Sequence, residues 1–176
     1  MRLLCIADTH GKELDLGPVP SCDFIFLLGD LGGSYGWQVS DFLHDHPEYR
    51  DRLFSVLGNH DSPYDPVYYP WLNFRKYGQV QVVSDGKRRY SVLFLPFQEE
   101  YRPLPLYSAP DIIISHQPPV TYPGMTDFHR GVPYFGRLRE EFPDSLWIHG
   151  HTHYSGQTGN GRTRSVYGSQ VLDVRI

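Results

Sequence analysis

Apolar runs recur along this chain, and each delivers polar residues able to bind a cation. Leu3, Leu4, Cys5, Ile6 and Ala7 lead into Asp8, Thr9 and His10, and residues 24–28 lead into Gly29 and Asp30. Residues 53–57 lead into Gly58, Asn59, His60 and Asp61, residues 112–115 end at His116, and residues 146–149 lead into Gly150, His151, Thr152 and His153. A near-continuous apolar run describes a strand buried on both faces. In open α/β sheets, chemistry collects just beyond the carboxyl ends of such strands. These run ends therefore predict one composite site.

Helical spacing covers residues 36–46, with Val39, Phe42 and Leu43 on one face, and residues 134–142, with Phe135, Leu138 and Phe142. Asp85-Gly86 between residues 81–83 and 90–94 reads as a hairpin turn. Residues 162–176 alternate as two final strands around Gly168. With 17 Gly and 15 Pro, long loops are expected at 62–79, 96–110 and 117–133, and loops of that length are often functional.

A chain of 176 residues suits one domain, 1–176, with a substantial core. Its net charge of −4 offers no basic field for nucleic acid. Lys87-Arg88-Arg89, Arg137 with Arg139, and Arg162 with Arg164 read as solvated surface. Cys5 and Cys22 are too few for a disulfide framework, so reduced thiols and a cytoplasmic location are the default. Asp8 and His10 interrupt the first apolar stretch, and no run approaches the ~18–20 apolar residues of a membrane span. A soluble protein without membrane or nucleic-acid partners is expected, its oligomeric state unspecified.

Asp8 and Asp30 offer carboxylate oxygen, His10, His116, His151 and His153 imidazole nitrogen, and Asn59 a neutral carbonyl oxygen. Such a mixed set suits two divalent ions, which together can activate water and neutralise a phosphoryl group. Two ions, two aspartates and one bridging hydroxide sum to about +1, enough to attract an anionic phosphate to an acidic protein. Gly29, Gly58 and Gly150 mark corners where backbone must turn beside the ions.

Asp8-x-His10, Gly29-Asp30, Gly58-Asn59-His60-Asp61, His116 and Gly150-His151-x-His153 resemble, in order, the motif set of the calcineurin-like metallophosphoesterases. The resemblance implies an α/β four-layer sandwich, two mixed β-sheets face to face with helices outside. The strand and helix count alone fits that fold or a doubly wound sheet. It also implies that Asp8, His10 and His153 hold one metal ion, that Asn59, His116 and His151 hold the other, and that Asp30 bridges them. A bridging hydroxide would attack phosphorus, His60 would assist the leaving group, and Asp61 would orient the His60 ring. Imidazole beside a carboxylate is a better proton donor near neutrality. Manganese is the expected metal, with iron, zinc or nickel tolerated by the ligand set.

Other residues carry competing readings. His60 could instead be a structural histidine bonded to backbone, and His149, inside a strand, reads as a core or supporting group. His44 and His46 read as solvated. In the segment 126–131, His129 and Arg130 could contact a phosphate oxygen, or the loop could simply be ordered by local turns. Tyr64, Tyr68, Tyr69 and Trp71 could wall a substrate pocket or pack a Pro-rich loop, and Tyr122 and Tyr134 share that ambiguity.

Leu31-Gly32-Gly33 lacks the Arg that protein phosphatases and diadenosine-polyphosphate hydrolases of the superfamily place after the Gly-Asp pair. Together with Asp61 ending its block and His116-Gln117-Pro118-Pro119, this resembles the small phosphodiesterase-type branch. A small phosphodiester is the expected substrate. The alternatives are a phosphomonoesterase acting on nucleotides or phosphoproteins, and a non-catalytic scaffold of the same fold. Such a scaffold need not keep His60 and every ligand.

Overall fold

The apolar runs become strands because each is covered on both sides. The computed structural model describes residues 1–17, 19, 21–120, 129–158 and 161–176. The runs form β1 (Arg2–Ala7), β2 (Phe24–Leu27), β3 (Leu53–Ser55), β6 (Ile112–Ser115) and β7 (Leu146–His149). The hairpin gives β4 (Gln79–Ser84) and β5 (Arg89–Leu95), and the end of the chain gives β8 (Gly156–Thr158), β9 (Thr163–Ser165) and β10 (Gly168–Asp173). One sheet has the order β10-β1-β2-β3, the other β4-β5-β6-β7-β9-β8. Both are mixed: β10, β4 and β8 are antiparallel to their neighbours, the remaining pairs parallel.

Alternation along the strands sorts the core into layers. Leu3, Cys5, Phe24 and Phe26 of one sheet meet Val92, Phe94, Ile112 and Ile114 of the other. Leu4, Ile6, Ile25 and Leu27 face outward onto Val39 and Leu43 of helix α1 (Tyr35–Asp45). On the far side, Leu93, Ile113 and Trp147 pack against Phe135 and Leu138 of helix α3 (Pro133–Glu141). Each such side chain fully buried is worth about 1.5–3 kcal/mol. Every central strand thus has sheet on one face and helix on the other, the four-layer arrangement rather than the doubly wound one. The two architectures read alike in sequence because both bury their strands on both faces.

Register positions the site. Ile6 pairs with Leu27 and Leu27 with Ser55, while Leu95 pairs with Ser115 and Ser115 with His149. Within each sheet the carboxyl ends of the parallel strands therefore finish level.

One loop expectation changes. The segment 62–79 contains helix α2 (Asp65–Tyr68), a 3-10 turn at Pro70–Leu72 and a bridge from Phe74 to Ser55. The two final strands form as expected, the second beginning at Gly168, but they lie in different sheets. Within 117–133, residues 121–128, including Tyr122, lie outside the described residues. Among the described residues, no helix is long and apolar enough to cross a membrane.

Candidate metal centre

Five of the seven predicted ligands leave the strands through strained backbone. Asp8 (φ 54°), His10 (48°), Asp30 (54°), His151 (67°) and His153 (49°) all occupy the left-handed region; Asn73 is the only other non-glycine residue there among those described. That region disfavours L side chains and persists where the surroundings enforce it, often at functional sites. Here backbone hydrogen bonds do so: Asp8 N–H donates to Gly29 O (3.1 Å), His10 N–H to Asp30 O (3.1 Å) and Gly11 N–H to Leu31 O (2.6 Å). Gly58 leaves room for Asp30, whose carboxylate a Cβ at 58 would overlap.

Two clusters result. Ligand-capable atoms of Asp8, His10 and His153 lie within 4.8 Å of one another, as do those of Asp30, His116 and His151. In the first, His10 Nε2 is 3.0 Å from His153 Nε2, and His153 Nε2 is 3.9 Å from Asp8 Oδ1. In the second, His116 Nε2 has Asn59 Oδ1 at 2.9 Å, His151 Nδ1 at 3.1 Å and Asp30 Oδ2 at 3.3 Å. All seven predicted ligands are thus brought together.

The donor chemistry fits cations. His116 Nδ1 lies 2.8 Å from Leu28 O, and donating there leaves the Nε2 lone pair facing the cluster. A single proton on Nε2 could serve only one of its three neighbours, whereas a cation serves every lone pair. Asp8 Oδ1 is buried without a hydrogen-bond partner, and an orphan carboxylate oxygen is costly unless something positive meets it. Burial pushes the Asp8 carboxyl up to about 7, with the neighbouring Asp30 charge adding and His116 opposing. Burial also acts against the charged forms of Asp30 and His116, yet their mutual contact wins, lowering the first and raising the second.

His60 is exposed, its ring 5.3 Å from that of His10, while its backbone N–H donates to Asp30 Oδ1 at 2.7 Å. The ring stands at the rim of the clusters. Asp61 does something other than expected. Its Oδ2 accepts from Asp30 N–H and Gly58 N–H, both at 2.8 Å, and among the described residues no hydrogen bond joins it to the His60 ring. The carboxylate braces the β2 and β3 loops through these two amides.

His129 lies with its ring 5.3 Å from that of His151 and 5.2 Å from that of His153. Arg130 follows as an exposed residue, and Thr126, Asp127 and Phe128 lie outside the described residues. His149 is buried, its Nδ1 2.9 Å from Gly150 O, and burial holds its pKa down at about 4. It is a neutral supporting group. Tyr69 and Trp71 pack onto the α1 core, whereas Tyr64 and Tyr68 are exposed. The Tyr134 hydroxyl oxygen accepts a hydrogen bond from Leu104 N–H at 2.8 Å. Tyr167, marked by no motif, stacks on His153; only proximity in the fold reveals it.

A sequence profile of the calcineurin-like phosphoesterases matches residues 1–155. No curated protein matches. A putative 5'-nucleotidase from Staphylococcus aureus aligns over 99% of this chain at 17% identity and a TM-score of 0.54; the chain spans about half (51%) of its length. Phosphopantetheinyl hydrolase from Mycobacterium tuberculosis aligns over 94% of this chain and 89% of its own, at 15% identity and a TM-score of 0.59. Plasmodium GAP50, described as the anchor in the inner membrane complex, covers 95% and 70% at 14% identity with a TM-score of 0.50. At these identities the likeness is one of fold.

Proposed function

The chain belongs to the calcineurin-like phosphoesterase family, and from that premise we propose that it hydrolyses a small phosphodiester at a dinuclear metal centre. Asp8, His10 and His153 would hold one ion, Asn59, His116 and His151 the other, with Asp30 between them. The observation that carries this reading is the convergence of these donors into two clusters, one of them containing a buried Asp8 oxygen with no hydrogen-bond partner. Bridging by Asp30 is supported by its position: its carboxylate lies 3.3 Å from His116 Nε2 and its carbonyl accepts from His10 N–H at 3.1 Å. Two divalent ions there, manganese by preference, supply charge to the phosphoryl oxygens and acidify water near neutral pH.

The remaining steps belong to the protein's own residues. His60, exposed beside His10, donates a proton to the departing oxygen. Asp61 keeps the loops of Asp30 and Gly58 in register through its two amide bonds. His129, against His151 and His153, meets a phosphoryl oxygen, with Arg130 next to it in sequence. A diester brings one negative charge fewer than a monoester, and Leu31-Gly32-Gly33 provides no arginine to offset the extra charge.

The test is turnover of bis-(p-nitrophenyl) phosphate with and without manganese, in the wild type and in Asp30→Asn. Metal-dependent turnover abolished by the substitution is expected. Equal activity from chelator-treated protein would count against the proposal, and faster turnover of p-nitrophenyl phosphate would shift the substrate to monoesters.

A further inference from the structure

His153 has 41% of its side-chain surface exposed and a left-handed backbone (φ 49°), so neither burial nor a relaxed main chain fixes its ring. The terminal torsion of histidine is broad. His10 and His129 meet the ring at steep angles, 66° and 51° between planes. Tyr167 alone among these neighbours lies nearly parallel, with centroids 5.5 Å apart and planes 24° from coincidence.

The topology puts Tyr167 there. It occupies the corner where the chain passes from β9 in the six-stranded sheet to β10 in the four-stranded one. Gly168 pairs with Ala7, so the corner sits beside the carboxyl end of β1, next to Asp8. Gly168 makes the turn with φ 69° and open space at its Cβ position.

Hydrogen bonds then lace this corner to the turn that carries His151 and His153. Ser155 Oγ accepts from Tyr167 N–H at 3.1 Å and donates to Tyr167 O at 3.3 Å. Ser165 Oγ donates to Tyr154 O at 2.7 Å, and Thr152 Oγ1 shares a hydrogen bond with Ser165 Oγ. The corner that carries the ring is therefore tied to the turn. The corner lies beyond the residues that the family profile matches.

We propose that Tyr167 is a positioning residue for His153: its stacked face holds the imidazole so that Nε2 points at the lone pairs of His10 and Asp8. The proposal rests on the reading that Asp8, His10 and His153 hold one of two ions. The contact is made by the ring face, so phenylalanine should replace tyrosine.

Zinc titration in competition with a chromophoric chelator tests it. Tyr167→Ala should weaken one of two zinc sites about 10- to 100-fold, the usual effect of removing a group that orients a ligand, and leave the other unchanged. Tyr167→Phe should retain both affinities. In metal-stripped protein, the His153 ring resonances in proton–nitrogen spectra should lose their ring-current displacement in Tyr167→Ala and keep it in Tyr167→Phe. Unchanged zinc affinities in Tyr167→Ala, equal weakening of both sites, or His153 resonances indifferent to the substitution overturn the proposal. A wild-type protein that takes up fewer than two zinc ions would strike instead at the dinuclear function, and the ring resonances would still decide the role of Tyr167.

Discussion

The carboxylate of Asp8 accepts a hydrogen bond from the backbone N–H of His151 at 2.8 Å, joining positions 143 residues apart. Its Oδ2 is satisfied by that amide, while Oδ1 is buried with no hydrogen-bond partner. One side chain thus locks the two sheets together at the site and pays for it with an orphan charge.

Asp8→Asn should therefore separate stability from function. The Asp8 carboxyl lies at about 7, above its ordinary value, so the metal-free fold binds this proton more tightly than the unfolded chain and loses stability as pH rises through 4 to 7. At pH 8, Asp8→Asn should stabilise chelator-treated protein by roughly 2–4 kcal/mol in urea unfolding. The same variant should lose most of the stabilisation that added metal gives the wild type. A metal-free variant less stable than the wild type at pH 8 would contradict this.

His149 gives a pH effect of opposite sense. Burial lowers its pKa to about 4, so the fold prefers the neutral ring. The stability this provides is complete above the unfolded value near 6.5 and is lost as pH falls toward 4. Between pH 7 and pH 5, the wild type should lose roughly 2 kcal/mol more than His149→Asn. Comparing each protein with itself, without metal, cancels the constant cost of the substitution; parallel losses would show that His149 does not titrate in this way.

His60 and Asp61 should fail differently. His60→Ala should keep full metal content and lower kcat by about 10²- to 10⁴-fold, with a larger loss for alkoxide than for p-nitrophenolate leaving groups. Asp61→Ala removes the acceptor for the Asp30 and Gly58 amides, so it should lower metal content and the unfolding midpoint together. Elemental analysis of both variants distinguishes a proton donor from a brace.

Gly58→Ala places a methyl group on the Asp30 carboxylate. Overpacking of this kind costs about 1–3 kcal/mol, and here the group displaced is the proposed bridge. Both a lower melting temperature and weakened metal uptake are expected. Normal uptake of two ions would mean that Asp30 can shift without consequence.

Much of the molecule was legible in the chain. Leu3 to Ala7, residues 24–28 and residues 112–115 announce buried strands because hydrophobicity is local, and Asp8, Asp30 and His116 announce chemistry by standing where those runs stop. What the runs could not say is whether helix or sheet covers each face, since Ile112 and Ile113 are equally apolar yet one meets the opposing sheet and the other helix α3. The tertiary structure decided that. It also decided that Asp61 binds amides rather than the His60 ring, that His129 comes to His151 and His153, and that Tyr167 faces His153. These are relations between residues far apart in sequence or set by backbone direction, and no local pattern of polarity encodes which side chains a fold will bring within a few ångströms.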